Sequence, residues 1–361
     1  MRLFVLSDLH LCDEICTGGT ALKGDCLYAI SQLKTLVREY RPDGVVIAGD
    51  IFNQPLVSSE ELKLFRKFCE ALDTNGEIFK LAVQGNHDMG SASIPAVCFA
   101  CHDLDAEPWT VEGITFAGVK YSADLSRMKS RIADSALCDI LVTHASTVPF
   151  ANFTKEVKLC PDDFPDDVFT IVGDTHVTQL YERGGKRILS PGYFSPSRKN
   201  EFLTGTPGGC ILEIRKRSAG KPEIEVYEMP LKQRFAADAT DLWPTPGLLR
   251  TLQEHENDAL PALVYCSKED AGEITRDLPY VVPVRAARHK KDDGTVRVSI
   301  DDLSSSLIDR LTRSAGAFLK ADRNRETIVP MLSDLWNAPD AEDYLMNWME
   351  GGDKLVHAET D

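Results

Sequence analysis

Residues 2–10 read Arg-Leu-Phe-Val-Leu-Ser-Asp-Leu-His, an apolar run that ends abruptly in side chains of types that bind metal ions. Four similar runs follow: DGVVIAGD at 43–50, IFKLAVQGNHD at 78–88, DILVTH at 139–144 and VFTIVGDTH at 168–176. Continuous apolar runs of this length, bounded by turn residues, are typical of strands buried on both faces. The sequence therefore predicts a sheet whose strands end in polar groups.

Two amphipathic stretches separate the first three runs. LYAISQLKTLVREY at 27–40 predicts a helix, and SEELKLFRKFCEAL at 59–72 predicts a second one. The first helix places four apolar residues on one stripe: Leu27, Ile30, Leu33 and Val37. Because strands and helices alternate, the fold class is α/β with a layered sheet.

The remaining chain divides into smaller pieces. GCILEIR and EIEVYEM, on either side of a turn, predict a hairpin that closes a first domain over residues 1–232. A Pro-Thr-Pro boundary then opens a smaller α+β domain at 235–320. Residues 321–361 carry two short amphipathic units with Trp336 and Trp348, which predict a helical tail that packs on its own protein or on a partner.

Every strand end carries residue types that bind divalent cations: Asp8 and His10; Asp50; Asn86, His87 and Asp88; His144; Asp174 and His176. Because the carboxyl ends of parallel strands meet at one edge, we expect these side chains to converge. An extended segment would point Asp8 and His10 the same way. The Asp50 carboxylate could bridge two cations about 3.5 to 4 Å apart. Oxygen and imidazole ligands favour manganese, permit magnesium, iron or zinc, and exclude an all-thiolate site.

In this order, the DLH, GD, GNHD, TH and GDTH motifs resemble the calcineurin-like metallophosphoesterase superfamily. Within it, the chain is most similar to the SbcD-type DNA repair nucleases, including shorter phage-encoded relatives. GDIFNQ replaces the GDxVDRG of protein phosphatases, and LSPGYFSPSR resembles the strand that follows the last motif in the nucleases. The resemblance covers residues 1–232, and it implies a β-sandwich flanked by helices with a capping domain at 235–320.

The resemblance also implies roles for the site residues. Asp8, His10, Asp50 and His176 would hold a first metal, and Asp50, Asn86, His144 and Asp174 a second. His87 would be the catalytic histidine, and Asp88 would orient its imidazole. The family further implies DNA as substrate, an SbcC-like ABC-type ATPase docking on the tail, and a homodimer.

Two positions depart from the family pattern. Asp174 stands where the family has histidine, which replaces a neutral ligand by an anion and favours the harder ions manganese and magnesium. Asn53 stands where the nucleases often have a second histidine, so the balance of exonuclease and endonuclease action stays open.

Composition narrows the setting. The chain has 40 basic and 56 acidic residues in 361, a net charge of -16, which argues against coating nucleic acid by charge alone. One local exception has five basic residues: Arg183, Lys186, Arg187, Arg198 and Lys199. Without a membrane span or a signal peptide in the sequence, we expect a cytoplasmic protein with reduced cysteines. Cys98-Phe-Ala-Cys101-His102 matches a haem attachment pattern by chance spacing.

Two other functions fit the same sequence. The site could act on a cyclic nucleotide, another small phosphodiester or a phosphoprotein. Alternatively, Asp174 could mark a decayed site in a scaffold without catalytic activity, which would hold fewer than two metals per chain.

Overall fold

The computed structural model describes residues 1–12, 14–17, 20–89, 100–148, 150, 159–217, 220–240 and 243–285. The predicted tail at 321–361 and the second domain beyond residue 285 lie outside the described residues. In the part of the chain that is described, no helix has the length and apolar character needed to cross a membrane.

Seventeen strands are found in these ranges: β1 Arg2–Leu6, β2 Glu14–Thr17, β3 Thr20–Lys23, β4 Gly44–Ala48, β5 Phe79–Val83, β6 His102–Asp103, β7 Trp109–Val111, β8 Ile114–Val119, β9 Ile140–His144, β10 Phe169–Gly173, β11 Thr178–Arg183, β12 Lys186–Pro191, β13 Gly208–Arg215, β14 Glu223–Pro230, β15 Ala236–Asp238, β16 Ala262–Cys266 and β17 Val281–Arg285. The α-helices of the same ranges are α1 Asp25–Tyr40, α2 Ser59–Leu72, α3 Leu125–Asp134, α4 Lys199–Thr204, α5 Pro246–Glu254 and α6 Lys268–Asp277.

The five predicted strands and both predicted helices are confirmed. Helix α2 begins at a capping box, in which the Ser58 hydroxyl accepts from Glu61 N–H and the Glu61 carboxylate accepts from Ser58 N–H. In α1, Ile30, Leu33 and Val37 are buried, but Leu27 is 39% exposed. The predicted stripe was therefore wrong at Leu27.

The strands that end in polar groups divide between two six-stranded sheets. The first sheet is ordered β14-β13-β1-β4-β5-β6, and the second is ordered β11-β12-β10-β9-β8-β7. Strands β1, β4 and β5 run parallel in the first sheet, as β9 and β10 do in the second. The expectation that all of these strand ends meet at one edge of a single parallel sheet is therefore wrong, because strands of two sheets contribute residues to the site.

Alternation along the strands explains why the runs are apolar throughout. In β1, Leu3 and Val5 enter a core shared with Val142 and Ile171 of the second sheet. Phe4 and Leu6 enter another core, on the side of the first sheet that packs against α1 and α2. Successive side chains of a strand point to opposite faces, so a strand with a layer on each side is apolar at every position.

A third core lies on the other side of the second sheet. Met128 and Ile132 of α3 pack there with Leu141 of β9 and Val172 of β10. The order of layers is therefore helices, sheet, sheet, helix, which is the β-sandwich flanked by helices that the family resemblance implies.

The described part of the second predicted domain contains a parallel sheet, β15-β16-β17, with α5 and α6. Leu263 and Tyr265 of β16 share a core with Leu22 and Ala29 of the first predicted domain. The boundary near residue 235 stays a prediction.

A buried ion pair anchors Arg234, which lies between these two regions and also donates from Nη1 to the Pro261 carbonyl at 3.3 Å. Arg234 donates from Nε to Asp25 Oδ1 at 2.7 Å and from Nη2 to Asp25 Oδ2 at 2.6 Å, and both side chains are 2% exposed. Nη2 also donates to the Lys23 carbonyl at 2.9 Å. Two parallel hydrogen bonds between guanidinium and carboxylate give a geometrically specific contact.

Replacing Arg234 by methionine leaves a buried carboxylate without its partner. We expect Arg234→Met to lower the free energy of unfolding by about 3 to 5 kcal/mol. Denaturant unfolding measures this loss. The control is Arg66→Met, which breaks an exposed pair with Glu70 and should have little effect. Equal losses in the two variants would contradict the structural role given to Arg234.

Candidate metal centre

The loops after β1, β4 and β10 hold five predicted ligands in an uncommon backbone conformation. Positive φ angles occur at Asp8 (49°), His10 (42°), Asp50 (51°), Asp174 (87°) and His176 (52°). These are five of the eight non-glycine residues with positive φ in the described ranges. Such conformations cost free energy and are concentrated at functional sites. The expectation that Asp8 and His10 lie in an extended segment is therefore wrong.

Glycines allow the loops to approach one another. A Cβ atom at Gly85 would lie 2.1 Å from Asp50 Oδ1, and one at Gly173 would lie 2.0 Å from the Ala48 carbonyl oxygen. Gly49 has a φ of 83°, whereas Gly85 has a φ of -90°. At Gly85 and Gly173, the structure requires space for a neighbouring segment.

The Asp50 carboxylate occupies the centre of the site. Its Oδ2 atom lies 3.4 Å from His144 Nε2, 3.8 Å from His10 Nε2 and 3.9 Å from His87 Nε2. Its Oδ1 atom accepts a hydrogen bond from His87 N–H at 2.9 Å. One buried oxygen thus faces imidazoles from three different loops.

On one side of Asp50 lie Asp8, His10 and His176. His176 Nε2 is 3.2 Å from both Asp8 Oδ1 and His10 Nε2. Asp8 Oδ1 is buried and forms no well-aligned hydrogen bond with the described residues, although His176 Nε2 lies 3.2 Å away. A buried carboxylate oxygen of this kind requires a partner, and a cation bound by the neighbouring imidazoles would provide one.

On the other side lie Asn86, His144 and Asp174. His144 Nε2 is 3.1 Å from Asn86 Oδ1 and 3.9 Å from Asp174 Oδ1. The Asp174 N–H donates to Asp8 Oδ2 at 3.0 Å, which connects this group to the first. The predicted position of Asp174 in the second group is therefore geometrically available.

Two of the imidazoles are fixed in orientation by their Nδ1–H groups. His144 donates to the Ala48 carbonyl at 2.8 Å, and His176 donates to Glu201 Oε1 at 2.7 Å. Each contact leaves Nε2 facing the carboxylates, which is the arrangement of metal-binding histidines.

Glu201 is a site residue that the sequence analysis missed. It lies in α4, just after the LSPGYFSPSR segment, and is 4% exposed. Its second oxygen accepts from Ser197 N–H at 2.7 Å and from Arg198 N–H at 3.1 Å. A buried glutamate in a short helix has no sequence signal that distinguishes it from an exposed one.

The carboxylates produce a field that favours positive charge. Burial lowers the pKa of His176, but the carboxylates of Asp8 and Glu201 outweigh burial and raise it to about 10. Burial likewise opposes protonation of His144, yet Asp50 holds the pKa of His144 well above its ordinary value. At His10, burial is the larger effect and lowers the pKa to about 4.

His87 and Asp88 follow β5 in a short 3-10 helix. His87 Nδ1–H donates to the Asn53 carbonyl at 2.7 Å, so a backbone group orients the imidazole. Asp88 accepts N–H hydrogen bonds from Ile51 and Gly85 at 3.1 and 3.0 Å, and it thereby joins two loops of the site. Burial and the Asp50 carboxylate raise the pKa of Asp88 to about 6. The Asn53 carbonyl thus orients the His87 imidazole, and the orienting role expected of Asp88 stays a prediction.

Three overlapping groups of potential ligands have their donor atoms within 4.8 Å of one another: Asp8, His10 and His176; His10, Asp50 and His87; Asp8, Asp50 and His144. Asp8 and Asp50 each belong to two of these groups. Oxygen and imidazole donors around shared carboxylates fit a pair of divalent cations.

The calcineurin-like phosphoesterase superfamily domain matches residues 1–216, more than half of the chain. The chain belongs to the calcineurin-like phosphoesterase superfamily. All of the proposed ligands of this phosphoesterase lie within the matched residues.

Two curated relatives match only part of the phosphoesterase. The DNA double-strand break repair protein Mre11 of Nanoarchaeum equitans is 32% identical over 83 residues, which are 23% of this chain and 22% of the relative. The SbcD component of the SbcCD nuclease of Staphylococcus epidermidis is 32% identical over 88 residues, 24% of this chain and 23% of the relative. The matched segments therefore span less than a quarter of each relative. Among solved structures, a dimetal phosphatase from Danio rerio is 11% identical and has a TM-score of 0.42, covering 63% of this chain and 99% of its own.

Adding one methyl group at Gly85 should disrupt the centre of the site. We expect Gly85→Ala to displace the Asp50 carboxylate, because the new Cβ would lie 2.1 Å from its Oδ1 atom. Titration calorimetry with MnCl2 should then detect fewer than two bound ions per chain. Gly272→Ala is the control, because a Cβ atom there meets nothing within 4 Å. Unchanged manganese binding by Gly85→Ala would contradict the assigned position of Asp50.

Removing the charge of Glu201 should weaken one metal position. We expect Glu201→Gln to lower the affinity for one of the two manganese ions by about 10- to 100-fold, because His176 loses the carboxylate that orients it. The same titration resolves the two ions. Glu70→Gln, on the exposed face of α2, is the control. A uniform loss of both ions, together with a lower melting temperature, would instead indicate a general structural role.

Proposed function

We propose that this calcineurin-like phosphoesterase is a nuclease that cleaves DNA phosphodiesters with two divalent cations. The observation that carries the proposal is the position of Asp50 Oδ2, which lies 3.4 to 3.9 Å from three imidazole nitrogens, with ligand groups on both sides. A bridging carboxylate between two cations is the arrangement of two-metal hydrolytic sites.

Seven residues would hold the cations. Asp8, His10, Asp50 and His176 would hold the first, and Asp50, Asn86, His144 and Asp174 would hold the second. When bound, the two cations supply an activated water and neutralise charge on the phosphate. Three carboxylates and one amide oxygen among the ligands favour a hard or borderline ion, and we propose manganese, with magnesium as a substitute.

His87 acts beside the cations. Its side chain is 26% exposed, so it can meet a substrate, and its Nδ1–H is committed to the Asn53 carbonyl. A carbonyl only accepts hydrogen bonds, so Nε2 is the atom available to the reaction. Through Nε2, His87 stabilises the charge that develops on the leaving oxygen or protonates that oxygen.

The two local similarities support DNA as the substrate, since one relative is named a DNA double-strand break repair protein and the other a nuclease subunit. The net charge of -16 opposes DNA binding by the chain as a whole. We therefore propose that it works as the nuclease subunit of an SbcCD-like complex, as a homodimer, with an SbcC-like ATPase that brings duplex ends to the metals.

The role of His87 is tested by removing its imidazole. We expect His87→Ala to lower the kcat for manganese-dependent cleavage of a DNA oligonucleotide by a factor of about 10² to 10⁴. Manganese stoichiometry should stay at two ions, because His87 is not one of the seven proposed ligands. His255→Ala is a matched control, since His255 pairs with Asp258 outside the site. Cleavage at the wild-type rate by His87→Ala would refute the assigned role.

A substrate panel separates DNA from the other substrates of this superfamily. Single-stranded and duplex DNA, a cyclic nucleotide, bis(p-nitrophenyl) phosphate and a phosphopeptide would be compared at equal manganese concentration. A preference for the cyclic nucleotide or the phosphopeptide over DNA would reject the nuclease proposal while retaining the phosphoesterase chemistry. Fewer than two metals per wild-type chain, with no hydrolysis, would favour a scaffold.

A further inference from the structure

The five basic residues between positions 183 and 199 differ in their availability to a ligand. Lys186 pairs with Asp166 at 2.6 Å, and Arg187 pairs with Glu182 at 2.7 Å. Lys199 pairs with Asp238 at 2.7 Å and lies over the ring of Tyr265. These three cations are therefore engaged with the protein itself.

Arg183 is exposed but lies far from the metal centre. Strands β11 and β12 form a hairpin in which Arg183 pairs with Lys186 at the turn and Thr178 pairs with Pro191 at the other end. Thr178 follows the ligand His176 by two residues, so the site is at the end opposite the turn. Five strand residues, or roughly 17 Å, separate Arg183 from Thr178.

Arg198 combines exposure with proximity to the metal centre. Its side chain is 64% exposed, and its Nε atom lies 4.0 Å from Glu201 Oε1. The same carboxylate oxygen accepts from His176 Nδ1 at 2.7 Å. A separation of 4.0 Å is too long for a hydrogen bond, and the Arg198 guanidinium donates no hydrogen bond to the residues that the structure describes.

The backbone beneath Arg198 is held in place although its side chain is exposed. Glu201 Oε2 accepts from Ser197 N–H, from the Ser197 hydroxyl and from Arg198 N–H, at 2.7, 3.1 and 3.1 Å. Glu201 thus links the Arg198 loop to the ligand His176 through its two oxygens. A ligand bound by Arg198 would have a defined position relative to the metals.

We propose that Arg198 binds a second phosphate of the substrate, next to the phosphate that is cleaved. This inference rests on the proposed nuclease function and makes it more specific: the preferred substrate is a polynucleotide strand, whose neighbouring phosphates are covalently linked. A guanidinium matches the geometry of phosphate oxygens and can donate two hydrogen bonds to them. In a chain of net charge -16, one correctly placed cation provides a local attraction that the protein as a whole lacks.

The test compares Arg198→Ala with Arg183→Ala, which removes the same charge from the far end of the hairpin. Kinetics with a single-stranded DNA oligonucleotide and with bis(p-nitrophenyl) phosphate, which has no second phosphate, would be measured in manganese. We expect Arg198→Ala to lower kcat/KM for the oligonucleotide about tenfold relative to kcat/KM for bis(p-nitrophenyl) phosphate. The loss should appear as a higher KM for the oligonucleotide, because a hydrogen bond to a charged group is lost. Arg183→Ala should leave the ratio unchanged, and Arg198→Lys should restore part of it.

Binding of the same oligonucleotide, measured by fluorescence anisotropy with calcium in place of manganese, separates the two proposals. The slope of log affinity against log salt should fall by about 0.7 in Arg198→Ala, as expected for one lost contact to a single strand. Equal binding by Arg198→Ala and Arg183→Ala, or equal losses of Arg198→Ala on both kinetic substrates, would overturn the role of Arg198. If the binding contrast holds but the wild type does not cleave DNA, the nuclease proposal alone fails.

Discussion

The structure depends on keeping the Asp8, Asp50 and Asp174 carboxylates together in one crevice. Asp8 and Asp50 are almost completely buried, and Asp174 lies beside them. Negative charges that lie in one crevice repel one another, and burial removes the water that would screen them. Imidazoles from four loops surround the carboxylates and offset part of this repulsion. A pair of divalent cations would offset it more completely, and the positions of Asp8 Oδ1 and Asp50 Oδ2 fit that occupancy.

The scaffold can hold this arrangement because the cost of the site is offset elsewhere. Five ligands occupy positive-φ conformations, each of which costs of order 1 to 3 kcal/mol. They follow strands whose side chains are buried on both faces between helices and a second sheet. Because these strands belong to two large apolar cores, their ends are fixed well enough to impose an unfavourable backbone on the loops. The packing of the strands therefore stabilises the strained backbone of the loops that carry the ligands.

A feature of this structure could be predicted from the sequence when the residues that form it lie close together along the chain. The strands, both helices and the converging ligands have local signals, such as apolar runs and the GNHD motif. The assignment of β1 and β9 to different sheets has none, because pairing between distant strands is not encoded in either strand alone. The same applies to Glu201, which binds a ligand 25 positions earlier, and to the Asn53 carbonyl, whose role depends on a backbone conformation.

The distribution of charge connects the site to its substrate. An acidic protein gains specificity for a phosphate ester only if its positive charge is concentrated where the substrate binds, since the rest of its surface repels anions. Here that charge would come from two metals and from Arg198, and Glu201 joins them by binding His176 with one oxygen and the Arg198 loop with the other. Glu201 is itself an anion, and its charge is offset by the hydrogen bonds that it accepts from the His176 imidazole and from the Arg198 loop. The residue that orients His176 would thus also set the distance at which a second phosphate is recognised.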